Sequence, residues 1–307
     1  MLPPHAGPIN ASTRYCAVYG HPIRHSASPA LQNAGIAALG LNWRYLAFDV
    51  EPAQLREAIT GARVMGYVGL NLTVPHKLLA VPLVDALDPV AKAFGAVNTI
   101  RFEGRDSAAE DWKPTWSFAG PPTEVRARGF NTDADAIIKA LHEDLAFQPK
   151  GKRVLVLGAG GAGRVATLRL ASAEASELFL VNRTLAKAEQ LFKEIAKQFP
   201  KVKVQLGYPK EQVDLVLNAT SLGLGPHDAL PLDTSEFRLR NAAAVYDMIY
   251  RPAETPLLKA AKAAGCRVTN GIGMLLHQGA HALELWSGLK PPIPIMRDAL
   301  LKNVYGT

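Results

Sequence analysis

The chain has 307 residues, of which 48% are hydrophobic and 20% charged, and its formal net charge is +7. This length suffices for two domains with separate cores, and the composition is typical of a soluble globular protein. No apolar run approaches the roughly 20 residues of a membrane-spanning helix, and residues 1–8 lack the features of a signal peptide. The only cysteines, Cys16 and Cys266, are far apart, so neither a disulfide framework nor a thiolate metal site is expected. We therefore expect a cytoplasmic protein without a membrane partner.

The positive net charge raises the question of an anionic partner. Nucleic-acid binding would call for a basic stripe or for aromatic residues between basic ones, and the sequence has neither. A small anionic substrate together with a phosphate-bearing cofactor accounts for the sign of the charge equally well. We expect small-molecule partners and no nucleic acid.

Strands and helices are predicted to alternate through the first 100 residues, because apolar β-prone runs are separated by segments of good helix formers. Strands are expected over 14–20, 43–50 and 67–74, helices over 30–39 and 52–64, and helical segments over 78–94, before a turn at 95–100 that feeds another strand. This βαβα alternation implies an α/β domain with a mostly parallel sheet.

The loop after the first strand carries Ser26 and Ser28. Ser28 before Pro29 fits a helix N-cap followed by proline at the first helical position. The two serines could also donate hydrogen bonds to a carboxylate, since a helix N-terminus favours negative charge. The sequence leaves both interpretations open.

The segment 71–77 is the first candidate for chemistry. Pro75 ends the preceding strand because it offers no backbone N–H, so the turn is expected to present Thr73, His76 and Lys77 at the sheet edge. In open α/β sheets, ligands bind at the edge where the strands end. Lys77 has three donors on a flexible stem, which suits holding or protonating an oxygen, although an isolated lysine at such a place is usually only solvated.

The alternation breaks from residue 106 to residue 123, where two tryptophans, three prolines and three acidic residues follow no period. A surface insertion or long hairpin is one interpretation, and a lid or partner contact is the other. After it, Asn131, Thr132 and Asp133 precede a helix expected over 134–145, where an Asn or Asp would serve equally well as a helix cap.

The second domain is predicted from a glycine-rich motif. An apolar strand at 153–157 runs into Gly158-Ala159-Gly160-Gly161-Ala162-Gly163, which opens a helix over 164–173. The G-x-G-x-x-G pattern alone is weak, but its position between a strand and a helix is the context that supports dinucleotide binding. The glycines would form the tight turn and let the backbone approach a pyrophosphate.

The residues after the next strand, 178–181, indicate which dinucleotide is bound. An NAD enzyme usually carries Asp or Glu there for the ribose 2′-hydroxyl, whereas this chain has Asn182, Arg183 and Thr184, with Lys187 one turn later. Arg183, Thr184 and Lys187 can all donate and none is negative, which suits a 2′-phosphate. We expect NADP, the alternative being that Arg183 is a solvated residue at a strand end.

Further strands at 202–206, 215–218 and 245–249 complete a doubly wound domain, and helices over 273–288 and 295–304 are expected to pack back on the first domain. His277 and His281 have the spacing of a zinc-protease helix. Gln278 occupies the position of the general-base Glu, so no metal is expected.

These motifs, in this order and spacing, resemble the shikimate dehydrogenase family from about Tyr15 to the C-terminal helix, interrupted by the insertion at 106–123. The matching segments lie at 20–29, 71–77, 95–99, 131–133, 158–163, 182–184, 218–221, 246–256 and 273–278. The resemblance implies an α/β fold of two domains: a substrate domain at 1–132, a Rossmann NADP domain at 133–271, and C-terminal helices at 272–307 that return to the first domain.

The resemblance also implies a role for each matching residue. Ser26 and Ser28 would hold the substrate carboxylate, and the ring hydroxyls would meet Thr73, Lys77, Asn98, Asp133 and Gln278, with Tyr250 nearby. Lys77 and Asp133 would form the catalytic pair. The cofactor would be held by Gly158, Ala159, Gly160, Gly161, Ala162, Gly163, Asn182, Arg183, Thr184, Lys187 and Thr220, with Met248 and Gly271 at the nicotinamide end.

The chain departs from the family pattern at a few positions. Gln32 stands where histidine is common, and Ala134 and Ala136 follow Asp133 where glycine is usual. The implied reaction is the NADPH-dependent reduction of 3-dehydroshikimate to shikimate in aromatic amino-acid biosynthesis. A lysine beside an aspartate is favoured in its charged form, so Lys77 could act as general acid in the reduction.

Three alternatives stay open from the sequence: a quinate/shikimate dehydrogenase that uses NAD as well as NADP, a regulator that binds NADP without catalysis, and an enzyme for an amine-bearing relative of shikimate. The oligomeric state, monomer or homodimer, is open as well.

Overall fold

The computed structural model describes residues 9–225 and 228–306, so the expectation for residues 1–8 lies outside the described residues. The chain divides into two compact units, one of Met1–Thr132 with Gln278–Thr307 and the other of Asp133–His277. The second division falls inside a helix, after His277, whereas the sequence places a domain boundary just before that helix. Among the described residues, no helix is long and apolar enough to cross a membrane.

The first unit is built on a seven-stranded sheet. Its strands are β1 (Arg14–Gly20), β2 (Trp43–Asp49), β3 (Gly69–Leu72), β4 (Ala86–Leu87), β5 (Thr99–Arg105), β6 (Lys113–Pro114) and β7 (Glu124–Phe130). Its helices in the N-terminal part are α1 (Ser28–Ala38), α2 (Leu55–Val64), α3 (His76–Leu79) and α4 (Pro89–Phe94). The strand order is β2-β1-β3-β5-β7-β4, and β6 pairs with β5.

One strand of this sheet is reversed. β1 is parallel to β2 and β3, and β4 is parallel to β7, whereas β5 is antiparallel to β3, β6 and β7. The expectation of a mostly parallel sheet is therefore confirmed, because among the described residues every strand of this sheet except β5 runs in the same direction. Apolar side chains from β1, β3 and β5 form the core with the buried face of α2, including Leu55 and Ile59.

The helical segments expected over 78–94 are present, but a short strand interrupts them. The chain forms the short α3, a 3-10 turn at Val81–Leu83, the strand β4 and the short α4. Asp88 accepts hydrogen bonds from the backbone N–H groups of Val90 and Ala91. This cap starts a new helix at Pro89, as expected for an N-cap followed by proline.

The segment 106–123 is tied to its own unit. Trp112 lies between the guanidinium groups of Arg105 and Arg126, at 4.5 and 4.3 Å from the ring centre. The Trp116 indole donates to the Trp286 carbonyl oxygen at 2.6 Å. These contacts fit the interpretation as a surface insertion, which adds β6 to the sheet.

The second unit has a six-stranded parallel sheet. Its strands are β8 (Arg153–Leu157), β9 (Glu177–Val181), β10 (Lys203–Leu206), β11 (Leu215–Asn218), β12 (Ala244–Asp247) and β13 (Arg267–Asn270). Its helices are α5 (Asp133–Leu145), α6 (Gly161–Ser172), α7 (Leu185–Gln198) and α8 (Pro256–Ala263). The strand order is β10-β9-β8-β11-β12-β13, which is the 3-2-1-4-5-6 order of a dinucleotide-binding fold.

The chain ends in α9 (Ile272–Ser287) and α10 (Ile293–Tyr305). From Gln278 onward these helices belong to the first unit. The Trp286 indole donates to the Ile100 carbonyl oxygen on β5 at 2.9 Å, and Met296 packs against Gly35 of α1, where a Cβ would lie 2.9 Å from its sulfur. The end of the chain thus completes the first unit, as expected.

Candidate active site

The loops that carry the predicted substrate residues meet at one edge of the first unit's sheet. The backbone N–H of His21, after β1, donates to the Val74 carbonyl oxygen, after β3, at 3.0 Å. Since β5 runs against β3 and β7, its first residues lie at the same edge. The N–H of Leu72 accordingly donates to the Asn98 carbonyl oxygen at 2.8 Å, and the Asn98 N–H donates to the Phe130 carbonyl oxygen at 3.1 Å.

Lys77 is the second residue of α3 and its side chain is half-buried. Its carbonyl oxygen accepts a hydrogen bond from the Val97 N–H at 2.9 Å, which fixes the lysine loop to the turn before β5. The expectation that the turn presents His76 at the edge is wrong, because its side chain is fully buried. Burial lowers the pKa of His76 and His21 acts in the same direction, so a neutral imidazole is favoured beside Lys77.

Asn98 holds the end of β7. Its Nδ2 donates to the Thr132 hydroxyl at 2.9 Å, and its Oδ1 accepts from the Thr132 N–H at 2.7 Å. The next residue, Asp133, is buried and begins α5. Asn98 therefore fixes the position of Thr132, the residue directly before Asp133. Thr132 belongs to the motif at 131–133, but it was not among the predicted site residues.

Ser28 is not a helix cap. The N-cap of α1 is Ala27, and no side chain accepts a capping hydrogen bond there. Ser28 is buried, and its N–H donates to the Ser26 hydroxyl oxygen at 3.3 Å. The capping interpretation of Ser28 is therefore excluded, whereas a role of both serines in holding a carboxylate stays compatible with the structure.

Gln278 begins the part of α9 that belongs to the first unit. The residue after it, Gly279, accepts a hydrogen bond from Nε2 of the fully buried Gln32 at 2.9 Å. A Cβ at Gly279 would lie 2.5 Å from the Leu31 side chain, so the close approach of α9 to α1 requires glycine. Gln32, a departure from the family pattern, thus has a structural role next to a predicted substrate residue.

The glycine-rich loop between β8 and α6 divides into glycines that the fold requires and glycines that it does not. Gly158 has φ +104°, and a Cβ at Gly163 would lie 2.2 Å from the Gly158 carbonyl oxygen. A Cβ at Gly160 or Gly161 would meet no atom within 4 Å. The protein's own packing therefore leaves Gly160 and Gly161 unexplained, and the close approach of a phosphate group to the start of α6 accounts for both.

This loop borders a pocket of about 350 Å³. Its lining consists of Gly158, Gly160, Asn182, Arg183, Thr184, Lys187, Ala219, Thr220, Ser221 and Leu222. The side chains of Arg183 and Lys187 are exposed, and neither makes a hydrogen bond or ion pair with any residue that the structure describes. Two cations without an internal partner, beside a helix N-terminus, suit a ligand with several phosphate oxygens. The residues present therefore fit a dinucleotide that bears a 2′-phosphate.

Asn182 has a structural part in this pocket. Its Oδ1 accepts from the Ala159 N–H at 2.8 Å, and its Nδ2 donates to the Thr184 carbonyl oxygen at 2.7 Å. The side chain thus joins the glycine-rich loop to the loop after β9. Thr220 is held similarly, because its N–H and its hydroxyl both donate to Asn218 Oδ1, at 3.0 and 2.8 Å.

Met248 and Gly271, predicted at the nicotinamide end, are in close contact. A Cβ at Gly271 would lie 2.1 Å from the Met248 carbonyl oxygen, so only glycine allows the loops after β12 and β13 to come together. Tyr250 lies two residues after Met248 and is half-buried. The predicted cofactor residues of the second unit thus all lie on loops at the ends of its strands or in the first turn of α6 or α7.

The loop after β12 is anchored by Asp247, which is fully buried. Its carboxylate accepts from Asn218 Nδ2 at 2.9 Å, from the Ile249 N–H at 3.1 Å and from the Thr255 hydroxyl at 2.6 Å. Burial raises the pKa of Asp247, and these hydrogen bonds oppose the rise. The sequence contains Asp247 in a motif but did not indicate its role.

His277 contacts an acidic side chain of its own unit. Its Nε2 lies 3.0 Å from Glu143 Oε2 within the second unit. Within residues 9–225 and 228–306, no group of three His, Cys, Asp or Glu side chains is arranged to hold a metal ion.

Three family profiles match the chain. The profile described as shikimate dehydrogenase substrate binding domain matches residues 18–100, and that of shikimate / quinate 5-dehydrogenase matches residues 140–223. The shikimate 5′-dehydrogenase C-terminal domain matches residues 271–301. Together they cover the loops that carry most of the predicted site residues.

Similar proteins agree over nearly the full length. The NADP-dependent shikimate dehydrogenase of Geobacter metallireducens is 41% identical over 301 residues, which cover 95% of this chain and 98% of that protein. A shikimate dehydrogenase solved with NADP⁺ superposes with a TM-score of 0.83 at 35% identity, covering 98% of this chain and 99% of that one. The Thermus thermophilus shikimate 5-dehydrogenase, solved with NADP(H) and shikimate, gives 0.77 at 34% identity and covers 94% and 99%.

Proposed function

The chain belongs to the shikimate dehydrogenase family, and from that premise we propose that it catalyses the reversible NADPH-dependent reduction of 3-dehydroshikimate to shikimate. The observation that carries the proposal is the edge of the first sheet. There, backbone hydrogen bonds join the loops of Thr73, Lys77 and Asn98 to the loop that leads to Ser26 and Ser28. A carboxylate and several hydroxyl groups on one small ring require such a set of donors and acceptors.

Each site residue has a proposed role in this reaction. Ser26 and Ser28 bind the carboxylate, and the ring hydroxyls contact Thr73, Lys77, Asn98, Asp133 and Gln278, with Tyr250 nearby. The cofactor is bound by Gly158, Ala159, Gly160, Gly161, Ala162, Gly163, Asn182, Arg183, Thr184, Lys187 and Thr220, and Met248 and Gly271 line its nicotinamide end. These assignments are supported by the position of every residue at the strand ends of its own unit or on the helices beside them.

Bound NADPH supplies the hydride in this reaction. The chain supplies the proton and the positioning: Lys77 donates a proton to the oxygen that develops on the ring, and Asp133 stabilises the charged lysine and orients the neighbouring hydroxyl. In the oxidation of shikimate the lysine has to start neutral to accept the proton. Shikimate oxidation is therefore expected to speed up as the pH rises.

We propose NADP as the cofactor because Arg183 and Lys187 both face the pocket without an internal partner, and no acidic side chain lines that pocket. Every proposed residue comes from a single chain, so a monomer or a homodimer suffices. The expected compartment is the cytoplasm, and the expected partner is a small anionic substrate.

The decisive experiment follows the loss of NADPH absorbance after 3-dehydroshikimate is added to the purified protein. Parallel reactions replace NADPH by NADH, and the reverse reaction is run with shikimate, with quinate and with an amine-bearing analogue of shikimate. Rapid, NADPH-selective turnover with 3-dehydroshikimate is expected. Binding of NADPH without consumption would favour the regulator, and preferred use of NADH with quinate would favour the quinate/shikimate alternative.

A further inference from the structure

The predicted substrate residue Asn98 lies in a buried cluster of three polar side chains. Asn98, Thr99 and Thr132 are 1%, 0% and 0% exposed. Nδ2 of Asn98 donates to the Thr132 hydroxyl oxygen at 2.9 Å, and its Oδ1 accepts from the Thr132 N–H at 2.7 Å. Both ends of the Asn98 amide are thus hydrogen-bonded to the same residue.

The backbone of Thr132 fixes the orientation of this amide. A backbone N–H can only donate, so the Asn98 atom that faces it is the oxygen, and the atom that faces the Thr132 hydroxyl is the nitrogen. The oxygen has a second donor as well. The Thr99 hydroxyl accepts from Asn71 Nδ2 at 2.9 Å and donates to Asn98 Oδ1 at 3.2 Å. Both lone pairs of Asn98 Oδ1 are therefore occupied within the protein.

The amide nitrogen of Asn98, by contrast, keeps one hydrogen. The Thr132 hydroxyl oxygen lies 2.9 Å from Nδ2 and 3.3 Å from Oδ1, so it faces the edge of the amide between these atoms and takes the hydrogen on that edge. The other hydrogen points away from Thr132, and no described residue accepts it. Asn98 directly precedes β5, at the edge of the sheet where the predicted substrate residues meet. This hydrogen is therefore the one left for the substrate.

We propose that Thr132 is a positioning residue, which makes Asn98 a hydrogen-bond donor and not an acceptor toward the substrate. The inference rests on the proposed function, in which Asn98 contacts a ring hydroxyl, and it defines which substituent suits that position. A hydroxyl oxygen can accept from the remaining N–H, whereas a protonated amine has only donors. An ammonium group at this position would place two donors against each other, so the arrangement disfavours an amine-bearing relative of shikimate.

The first test is Thr132→Val, which removes the hydroxyl and keeps the backbone N–H. Asn98 Nδ2 then loses its acceptor in the protein and has to be ordered when the substrate binds, so the KM and Kd for shikimate should rise about three- to tenfold. The kcat should change less than the KM, because Lys77 and Asp133 are unaltered. Thr132→Ser keeps the hydroxyl and should return both constants to within about twofold of the wild type.

Thr13→Val is the matched control. Thr13 is 6% exposed in the same unit, and its hydroxyl donates to the Asn42 side chain at 3.0 Å, but it precedes β1 and lies at the opposite edge of the sheet. This variant should change the Kd for shikimate less than about 1.5-fold, even where its melting temperature falls as far as that of Thr132→Val. An unchanged Kd in Thr132→Val, an equal rise in both variants, or a fall in kcat larger than the rise in KM would overturn the proposal.

Asn98→Asp tests the direction of the hydrogen bond to the substrate. One carboxylate oxygen can still accept from the Thr132 N–H, and the other presents an acceptor where the amide presented an N–H. Calorimetry uses shikimate and the analogues in which each ring hydroxyl in turn is replaced by an amine. One analogue should bind at least about tenfold better relative to shikimate than it does in the wild type; no such gain for any analogue would refute the donor assignment. These Kd values need no turnover, so a wild type that binds shikimate without oxidising it would refute the proposed function alone.

Discussion

Replacing Arg183 by alanine tests the assignment of the phosphate pocket most directly. Arg183 is exposed, lines the pocket beside Lys187 and Thr184, and has no partner among the described residues. Its removal leaves no group in the fold unsatisfied, so the melting temperature should stay within about 2 °C of the wild type, as for most surface substitutions. Any loss of affinity then reports on the ligand.

The size of the effect follows from the contact that is lost. A hydrogen bond to a charged group contributes about 1.5–3 kcal/mol, and solvent at this exposed position reduces that to roughly 1–2 kcal/mol. The Kd for NADP should therefore rise about 5- to 30-fold. NAD lacks the 2′-phosphate, so its Kd should change less than about twofold.

The assay is titration of the full chain with NADP and with NAD by calorimetry, at low and at high salt. Arg240→Ala is the matched control, since Arg240 is exposed in the same unit but lies outside the pocket. The preference for NADP over NAD should shrink with salt in the wild type more than in Arg183→Ala. Equal weakening of both dinucleotides would show that Arg183 supports the loop and does not recognise the phosphate.

Three further substitutions test the remaining parts of the site. Lys77→Ala should lower kcat by about 10²- to 10⁴-fold; a variant that keeps more than half its turnover removes Lys77 from the mechanism. Gly160→Ala should keep the fold, because its Cβ meets nothing within 4 Å, and should weaken NADP binding at least about tenfold. Gly163→Ala, by contrast, should lower the melting temperature, because its Cβ would lie 2.2 Å from a carbonyl oxygen. Unchanged NADP binding by Gly160→Ala would contradict the pyrophosphate assignment. Burial raises the pKa of Asp247, so its contribution to stability is largest at low pH and is lost as the pH rises through the folded-state pKa. The melting temperature of Asp247→Asn relative to the wild type should therefore increase as the pH rises above about 4, the ordinary pKa of an Asp side chain. Asp233→Asn, where hydrogen bonds from Ser235 lower the pKa, should show the opposite trend.

The parts of the fold that the sequence predicts well are those with a local cause. β8 and β11 have their predicted bounds, because an apolar run buried on both faces needs no knowledge of its neighbours. A helix also follows the glycine-rich loop as predicted, although α6 begins at Gly161 and not at Arg164. Where a local signal determines the structure, as at the junction of Leu157 and Gly158, the prediction is reliable.

β7 was missed because its charges are neutralised by a distant strand. Arg126 and Arg128 face Glu103 of β5, which is fully buried, and Arg101 pairs with the same carboxylate. Alternating arginines look like a solvated segment until the buried acid opposite them is known.

The reversed strand β5 explains why the substrate residues were only partly predictable. In a fully parallel sheet, each strand contributes to the ligand edge through the residues that follow it. Because β5 is antiparallel, it contributes Asn98 and Thr99 from its beginning. Asn98 can then bind Thr132, two residues after the end of β7, and Asn71 can bind Thr99. The reversal thus brings a pair of polar residues from the start of a strand to an edge otherwise formed by strand ends, and a βαβ pattern alone would have placed them at the opposite edge.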